Sequence, residues 1–320
     1  MTSGYTLTAK ALSNDPGVQV VQCERAAIGL ELEDADVVVP LMSRLDAALL
    51  QCARRCKLVL QFGVGVEGAT RLGIWVSNIP SGGTGNAASC AEHAMYLMLA
   101  TLRHHHDMAA SIAQRRLGAP MGVTLLGRSV LVLGFGSIAK ELVVRLQAFG
   151  VRISVLRRSN TWGSQDDQLT KAAEACVADR GLWPADAARL AAAADLVVVT
   201  CHQDSENKGM VGREFLGHCK EGIRIVNVAR GGLLDYSAVK EGLLSGKVGG
   251  LGLDVHFWEP FDPEDFIAQH PKTYLTPHIA GVTELSYSNM AEVVAREVRL
   301  VQQGLPPTRQ LNQPPQPRNG

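Results

Sequence analysis

The sequence predicts a two-domain α/β protein built around a doubly wound parallel sheet, and three observations carry that expectation. Strand-sized apolar runs alternate with stretches of helical periodicity along most of the chain. The passage Ser129 to Asn160 joins strand, turn, helix and strand, with glycines where a tightly bent backbone needs them. The length of 320 residues is more than one such unit requires.

That passage reads SVLVLGFGSIAKELVVRLQAFGVRISVLRRSN. Ser129–Leu133 is the first strand, and the chain turns at Gly134, Gly136 and Ala139. A helix runs to about Phe149, and Val151–Leu156 forms the second strand. Glycine here serves the bend and lets backbone approach a pyrophosphate, which rests on the amides of Ser137 and Ile138 at the helix start. G-x-G-x-x-[GA] alone is weak, but a strand before it and a helix after it make this a Rossmann unit. Ala139 in the third position loosens helix–strand packing slightly.

The end of the second strand predicts the cofactor. NAD-preferring units carry a carboxylate there that binds the ribose 2′-hydroxyl. This chain has Arg157, 23 residues beyond Gly134, followed by Arg158 and Ser159. An arginine fork suits a 2′-phosphate, so the expectation is NADP(H) in preference, with NAD(H) possible. The bland alternative is a pair of solvated arginines at a loop start.

In the front third, Gln19–Glu24, Asp36–Pro40 and Lys57–Phe62 read as buried strands, and Arg44–Cys56 as a helix. A further strand around Ile74–Ser77 ends at Pro80. Ala88–Asp107 reads as one helix, apolar nearly all round, which implies burial between domains or between subunits. The run His104–His106 points three ways on a helix, so a surface patch is expected rather than a metal site.

After the nucleotide unit come four more strands: Asp195–Cys201, Ile223–Ala229, Val248–Val255 and Thr273–Pro277. Residues 159 to 185 lack pattern and read as a surface excursion, and the Pro/Gln-rich tail after Gly304 reads as frayed. Net charge is zero with no basic block, so neither nucleic acid nor an anionic membrane is an expected partner. No apolar run reaches membrane-spanning length and no secretory leader opens the chain. Seven cysteines without a Cys-x-x-Cys pair fit free thiols, which places the protein in the cytoplasm or an organellar lumen.

Ligands in open α/β sheets bind beyond the carboxyl ends of the strands. Arg230 follows the Ile223–Ala229 strand, Asp254 and Glu259 follow the next, and His278 follows the last. A guanidinium, a carboxylate and an imidazole beside a nicotinamide suit hydride transfer at a carbon bearing oxygen. Arginine binds the acid in its plane, histidine moves the hydroxyl proton, and glutamate orients the imidazole. Each residue also has a structural reading: a loop tie, a surface charge or a satisfied core histidine.

At these residues the chain resembles the D-isomer-specific 2-hydroxyacid dehydrogenases, from about Gln19 to Gly304. GVGVEGAT resembles that family's carboxylate-binding loop, which implies substrate contacts from the amides of Val64 and Gly65. GNAASCAEHAMYLML resembles its dimer helix and GFGSIA its nucleotide turn. NVARGGLLD, LDVHFWEP and TPHIAG resemble the segments carrying its arginine, its cofactor-side aspartate with the catalytic glutamate, and its histidine. GLGLDVHFWEPFDP with TPHIAGVTELSY is most similar to a plant and algal subgroup.

The resemblance implies a flavodoxin-like, discontinuous substrate domain (residues 1–85 and 284–320) around a nucleotide domain (86–283). It also implies a homodimer, and cofactor contacts from Cys201, Ala229 and Asp254. Reduction of a small 2-oxo acid is the implied reaction, with glyoxylate, hydroxypyruvate or phosphoglycerate as candidates. Three departures stand out. MTSGYTLTAK does not read as the family's first strand, CHQDSENKG lacks its usual proline, and Glu259 stands where formate dehydrogenase has glutamine. A dinucleotide-sensing binding protein on the same fold is the alternative. Met42 and Trp258 are candidates for the side-chain pocket.

Overall fold

The computed structural model describes residues 4–24, 27–41, 45–60, 66–163 and 167–318. The chain divides into two compact units, Met1–Gly85 with Glu284–Gly320, and Asn86–Thr283.

The larger unit is a seven-stranded sheet, every pairing of which is parallel. Its strands are β4 (Ser129–Leu133), β5 (Arg152–Arg157), β6 (Val177–Leu182), β7 (Leu196–Val199), β8 (Ile223–Asn227), β9 (Val248–Leu253) and β10 (Thr273–Leu275). They lie in the order β10-β9-β8-β7-β4-β5-β6. The chain starts in the middle, winds outward to β6, then returns beside β4 and winds the other way. The reversal between β4 and β7 is the topological switch point, where such sheets open a ligand crevice.

Strand alternation produces two cores. Leu131, Leu133, Val197 and Val199 face one layer, while Val130, Val132, Leu196 and Val198 face the other, all buried. Helix α5 (Asn86–Arg103) packs on the second layer within its own unit, burying Ala91, Ala94, Leu97 and Met98. Its approach to β9 is close because Gly252 has no side chain: a Cβ there would lie 3.0 Å from that of Leu97. Helix α7 (Ser137–Gln147) buries Ala139, Leu142, Val143 and Leu146, the one-face spacing its sequence prescribes.

Several sequence expectations are corrected here. Residues 159 to 185 are not a plain excursion, since α8 (Gln168–Cys176) and the edge strand β6 lie within them. Asp167 caps α8 at the Thr170 amide, 2.9 Å away, and β6 escapes pattern reading because this edge strand, VADRGL, has few apolar residues and buries only Gly181. The helix expected over Ala88–Asp107 breaks at His104, whose φ is +54°, and restarts as α6 (His105–Ala113). His105 and His106 are exposed, as the surface reading expects, and His106 also stacks on Tyr274 at 4.5 Å and reaches the Thr273 carbonyl at 3.0 Å. Among the described residues no three His, Cys, Asp or Glu side chains could hold a metal together.

The smaller unit has a three-stranded parallel sheet of β1 (Val37–Val38), β2 (Leu58–Leu60) and β3 (Trp75–Ser77) in that order. Helices α1 (Gly4–Ala11), α2 (Ile28–Glu31), α3 (Ala47–Cys52), α4 (Val66–Arg71) and α13 (Glu284–Gln302) belong to it. Gln19–Glu24 forms no ladder, with Val21 left 56% exposed, because no described strand pairs with it. The helix expected over Arg44–Cys56 is shorter, opening where Asp46 accepts from the amides of Ala48 and Leu49.

The tail does not fray. Leu311 donates to the Val76 carbonyl at 2.8 Å, and Asn312 binds the Val76 amide and the Ile74 carbonyl at 2.7 and 2.9 Å. Arg318 donates to the carbonyls of Ala53, Arg54 and Cys56. The prolines cannot donate, but Gln310, Leu311 and Asn312 between them can pair along the edge of β3, so composition alone misleads here. No helix among the described residues is long and apolar enough to cross a membrane, and all seven cysteines are free.

Candidate active site

The carboxyl ends of β8, β9 and β10 lie side by side in the sheet, and they carry Arg230, Asp254 with Glu259, and His278. The closest pairing is between the last two residues. Nδ1 of His278 stands 3.1 Å from both carboxylate oxygens of Glu259. Burial pushes the Glu259 carboxyl up, but hydrogen bonds from His278 and from the His256 amide outweigh it and hold the group below the usual carboxylate range. An ionised carboxylate only accepts, so Nδ1 bears the proton of that bond and Nε2 is left for other chemistry.

His278 adopts a left-handed backbone, φ +58°, in a loop that Asp254 grips. Asp254 is 1% exposed. Its oxygens accept from the Thr276 hydroxyl (2.7 Å), the Ile279 amide (2.8 Å) and the Ala280 amide (2.9 Å). His93 on α5 adds a contact from below: its Nε2 is 2.8 Å from Thr276 Oγ1 and 3.5 Å from Asp254. Since the Thr276 hydroxyl proton points to Asp254, His93 must donate at Nε2. Burial lowers the pKa of His93. The carboxylate expected to touch the cofactor therefore also holds the histidine loop in shape.

Arg230 has no carboxylate partner among the described residues, and its Nη1 leans on the Ala229 carbonyl at 2.6 Å. The turn that presents it is tied from below by Asn227, whose amide donates to the Arg230 carbonyl at 2.8 Å and accepts from the Ala229 amide at 3.0 Å. The next residue, Gly231, admits no side chain, since a Cβ would fall 1.8 Å from the His256 carbonyl oxygen. The residue after Arg230 is thus packed directly against the His256–Phe257 peptide. Cys90 on α5 lies in the field of both groups. Burial pushes its thiol up to about 12, Asp254 adds to the rise and Arg230 opposes it.

At the switch point Gly134, φ +97°, presses on the chain after β7: a Cβ there would meet Cys201 at 2.8 Å. Gly136 faces open space, with nothing within 4 Å of a built Cβ. As N-cap of α7 it supplies no side-chain hydrogen bond, so the cap residue itself leaves the amides of Ser137 and Ile138 without an acceptor. An open cradle over an uncapped helix start fits a dinucleotide pyrophosphate. Cys201 is a neutral thiol there, its pKa pushed up to about 11 by burial.

The two arginines after β5 are held differently. Arg157 stacks between Phe135 and Trp162, 5.9 and 5.1 Å from their centroids, and its Nη2 turns to the hydroxyls of Ser159 and Thr161. Arg158 is ion-paired with Asp204 at 2.6 Å and Glu206 at 3.2 Å. Trp258 is 61% exposed and packs on Tyr236, centroids 5.0 Å apart. Val64, Gly65 and Met42 lie outside the described residues. His93, Asn227, Gly231, His256 and Thr276 were missed from sequence. Gly231 had a signal, a Gly-Gly pair directly after a candidate arginine; the others act through contacts between distant strands.

Residues 95–280 match the family model described as D-isomer specific 2-hydroxyacid dehydrogenase, NAD binding domain. The chain belongs to this family. A relative named glyoxylate reductase from Pyrococcus furiosus is 32% identical over 87% of this chain and 83% of its own length. D-3-phosphoglycerate dehydrogenase from Archaeoglobus fulgidus is 30% identical over 87% of this chain and 51% of its own length. This dehydrogenase-family chain thus spans about half the length of the phosphoglycerate dehydrogenases it matches. The fold also matches the solved NADPH-dependent glyoxylate/hydroxypyruvate reductase from Sinorhizobium meliloti, with TM-score 0.79 and 24% identity over 97% of this chain and 96% of that one.

Proposed function

We propose that the chain is a reductase of small 2-oxo acids of the glyoxylate and hydroxypyruvate class, preferring NADP(H) and acting as a homodimer. The observation that carries this reading is the two-oxygen grip of Glu259 on His278 Nδ1. It fixes the imidazole with Nε2 free to hand a proton to the oxygen at C2. Arg230, with no carboxylate partner among the described residues, would pair with the acid and polarise its carbonyl. The bound nicotinamide supplies the hydride. Glu259 would have no task for formate, whose oxidation moves no such proton. The glyoxylate reductase relative, matched over most of its length, favours a short acid over phosphoglycerate. Arg157, whose hydrogen-bond partners among the described residues are hydroxyls and which feels only the more distant charge of Glu174, supports the 2′-phosphate. The segment holding Ile112, Leu117, Met121 and Leu126, between 69% and 103% exposed, supports self-association.

The test is NADPH and NADH oxidation with a panel of 2-oxo acids, in wild type and His278→Ala. Turnover on a short acid, faster with NADPH and lost in the variant, is expected. Cofactor binding without turnover on any acid would replace the enzyme with a sensor.

A further inference from the structure

Arg158 stands beside the position where a cofactor 2′-phosphate would arrive, yet it is already neutralised. Asp204 Oδ2 lies 2.6 Å from its Nη1 and Glu206 Oε2 lies 3.2 Å away. These carboxylates belong to the loop that leaves β7, on the far side of the switch point. The loop is built to keep them there. Asp204 Oδ1 accepts from the amides of Glu206 and Asn207 at 3.0 and 3.2 Å. Asn207, 4% exposed, donates to the His202 carbonyl at 2.7 Å and accepts from the Asp204 amide at 2.9 Å. The root of the loop, Cys201, abuts Gly134.

Building on the dinucleotide reading of this crevice, we infer that Asp204 and Glu206 compete with the cofactor 2′-phosphate for Arg158. Arg157 recognises the phosphate, while Arg158 is withheld by two carboxylates that also repel it. Discrimination between the two dinucleotides is thus set by an acidic loop as well as by the arginines at the strand end. The local balance is telling: Arg157 and Arg158 are matched by Asp204 and Glu206, so the site holds no net positive charge from these four groups. A dianionic phosphate gains from freeing Arg158 and from removing the two like charges; a bare ribose hydroxyl gains from neither.

The test is calorimetric titration of the full chain with adenosine 2′,5′-bisphosphate and with 5′-AMP, which needs no turnover. Asp204→Asn keeps an oxygen for the turn amides, so the loop survives the change. Asp204→Asn with Glu206→Gln should tighten the bisphosphate about tenfold and move 5′-AMP less than about twofold. Glu206→Gln alone, at an exposed side chain, should give part of that gain. Adding Arg158→Met should remove most of it, leaving only the share that comes from lifted repulsion. No change, equal changes for both probes, or a gain undiminished by Arg158→Met would overturn the inference. Wild type binding both probes equally would instead count against Arg157 as the phosphate residue, while the ratio between variants still decides the competitor role.

Discussion

A histidine with positive φ needs a reason, because a left-handed backbone at a residue other than glycine costs about 1–3 kcal/mol unless its surroundings impose it. Here Asp254 imposes it, fastening the amides on the C-terminal side of His278 while Thr276 fastens the other. His278→Ala should lower kcat about a hundred- to ten-thousandfold with cofactor binding kept, as fluorescence titration of NADPH would report. Glu259 adds a pH signature. Its carboxyl lies lower in the folded protein than in the unfolded chain, so its pairing stabilises above the usual carboxylate range and is lost as pH falls through the folded value. The melting-temperature gap between wild type and Glu259→Gln should therefore be flat near neutral pH and close in acid; a gap that widens in acid refutes the pairing. Gly231→Ala forces a methyl onto the His256 carbonyl and should cost about 2 kcal/mol or more in urea unfolding, with substrate KM raised through displaced Arg230.

Elements show where local pattern suffices and where it does not. α7 and β4 were readable because β4 is an unbroken apolar run that stops at Gly134 and α7 repeats one apolar face after Gly136. β6 and the C-terminal strap were not, since each is defined by a partner distant in sequence. Asn312 illustrates this: it is 9% exposed and its amide ties Val76, Ile74 and Thr70 together from 236 to 242 residues away. Asn312→Ala leaves a buried amide and carbonyl without partners and should destabilise by about 1–3 kcal/mol in chemical denaturation. A loss under about 0.5 kcal/mol would mean that the strap is decorative. At the switch point, Gly134→Ala sets a methyl against Cys201 and requires a left-handed alanine; NADPH affinity should fall at least about tenfold in the same titration.

For the whole molecule, the doubly wound sheet brings residues from six separate segments to one edge, which is why single motifs were weak and their combination informative. Hydrogen exchange of the full chain with and without NADPH should protect Gly134–Ile138 and Arg157–Ser159 together; protection of only one would separate the turn from the strand end. Light scattering after gel filtration should give twice 34.3 kDa, and Leu117→Asp with Met121→Asp should halve it. An unchanged mass in the variant would move the interface elsewhere.

From sequence alone came the parallel α/β class, the nucleotide turn and the chemical identities of Arg230, Glu259 and His278, because periodicity and glycine placement are local and side-chain chemistry is intrinsic. Tertiary structure alone decided what each group is bonded to. Asp254 turns out to brace the histidine loop, Arg158 is held by an acidic loop across the crevice, and the proline-rich tail is pinned to β3. Those outcomes depend on contacts between residues tens to hundreds of positions apart, which no local pattern encodes.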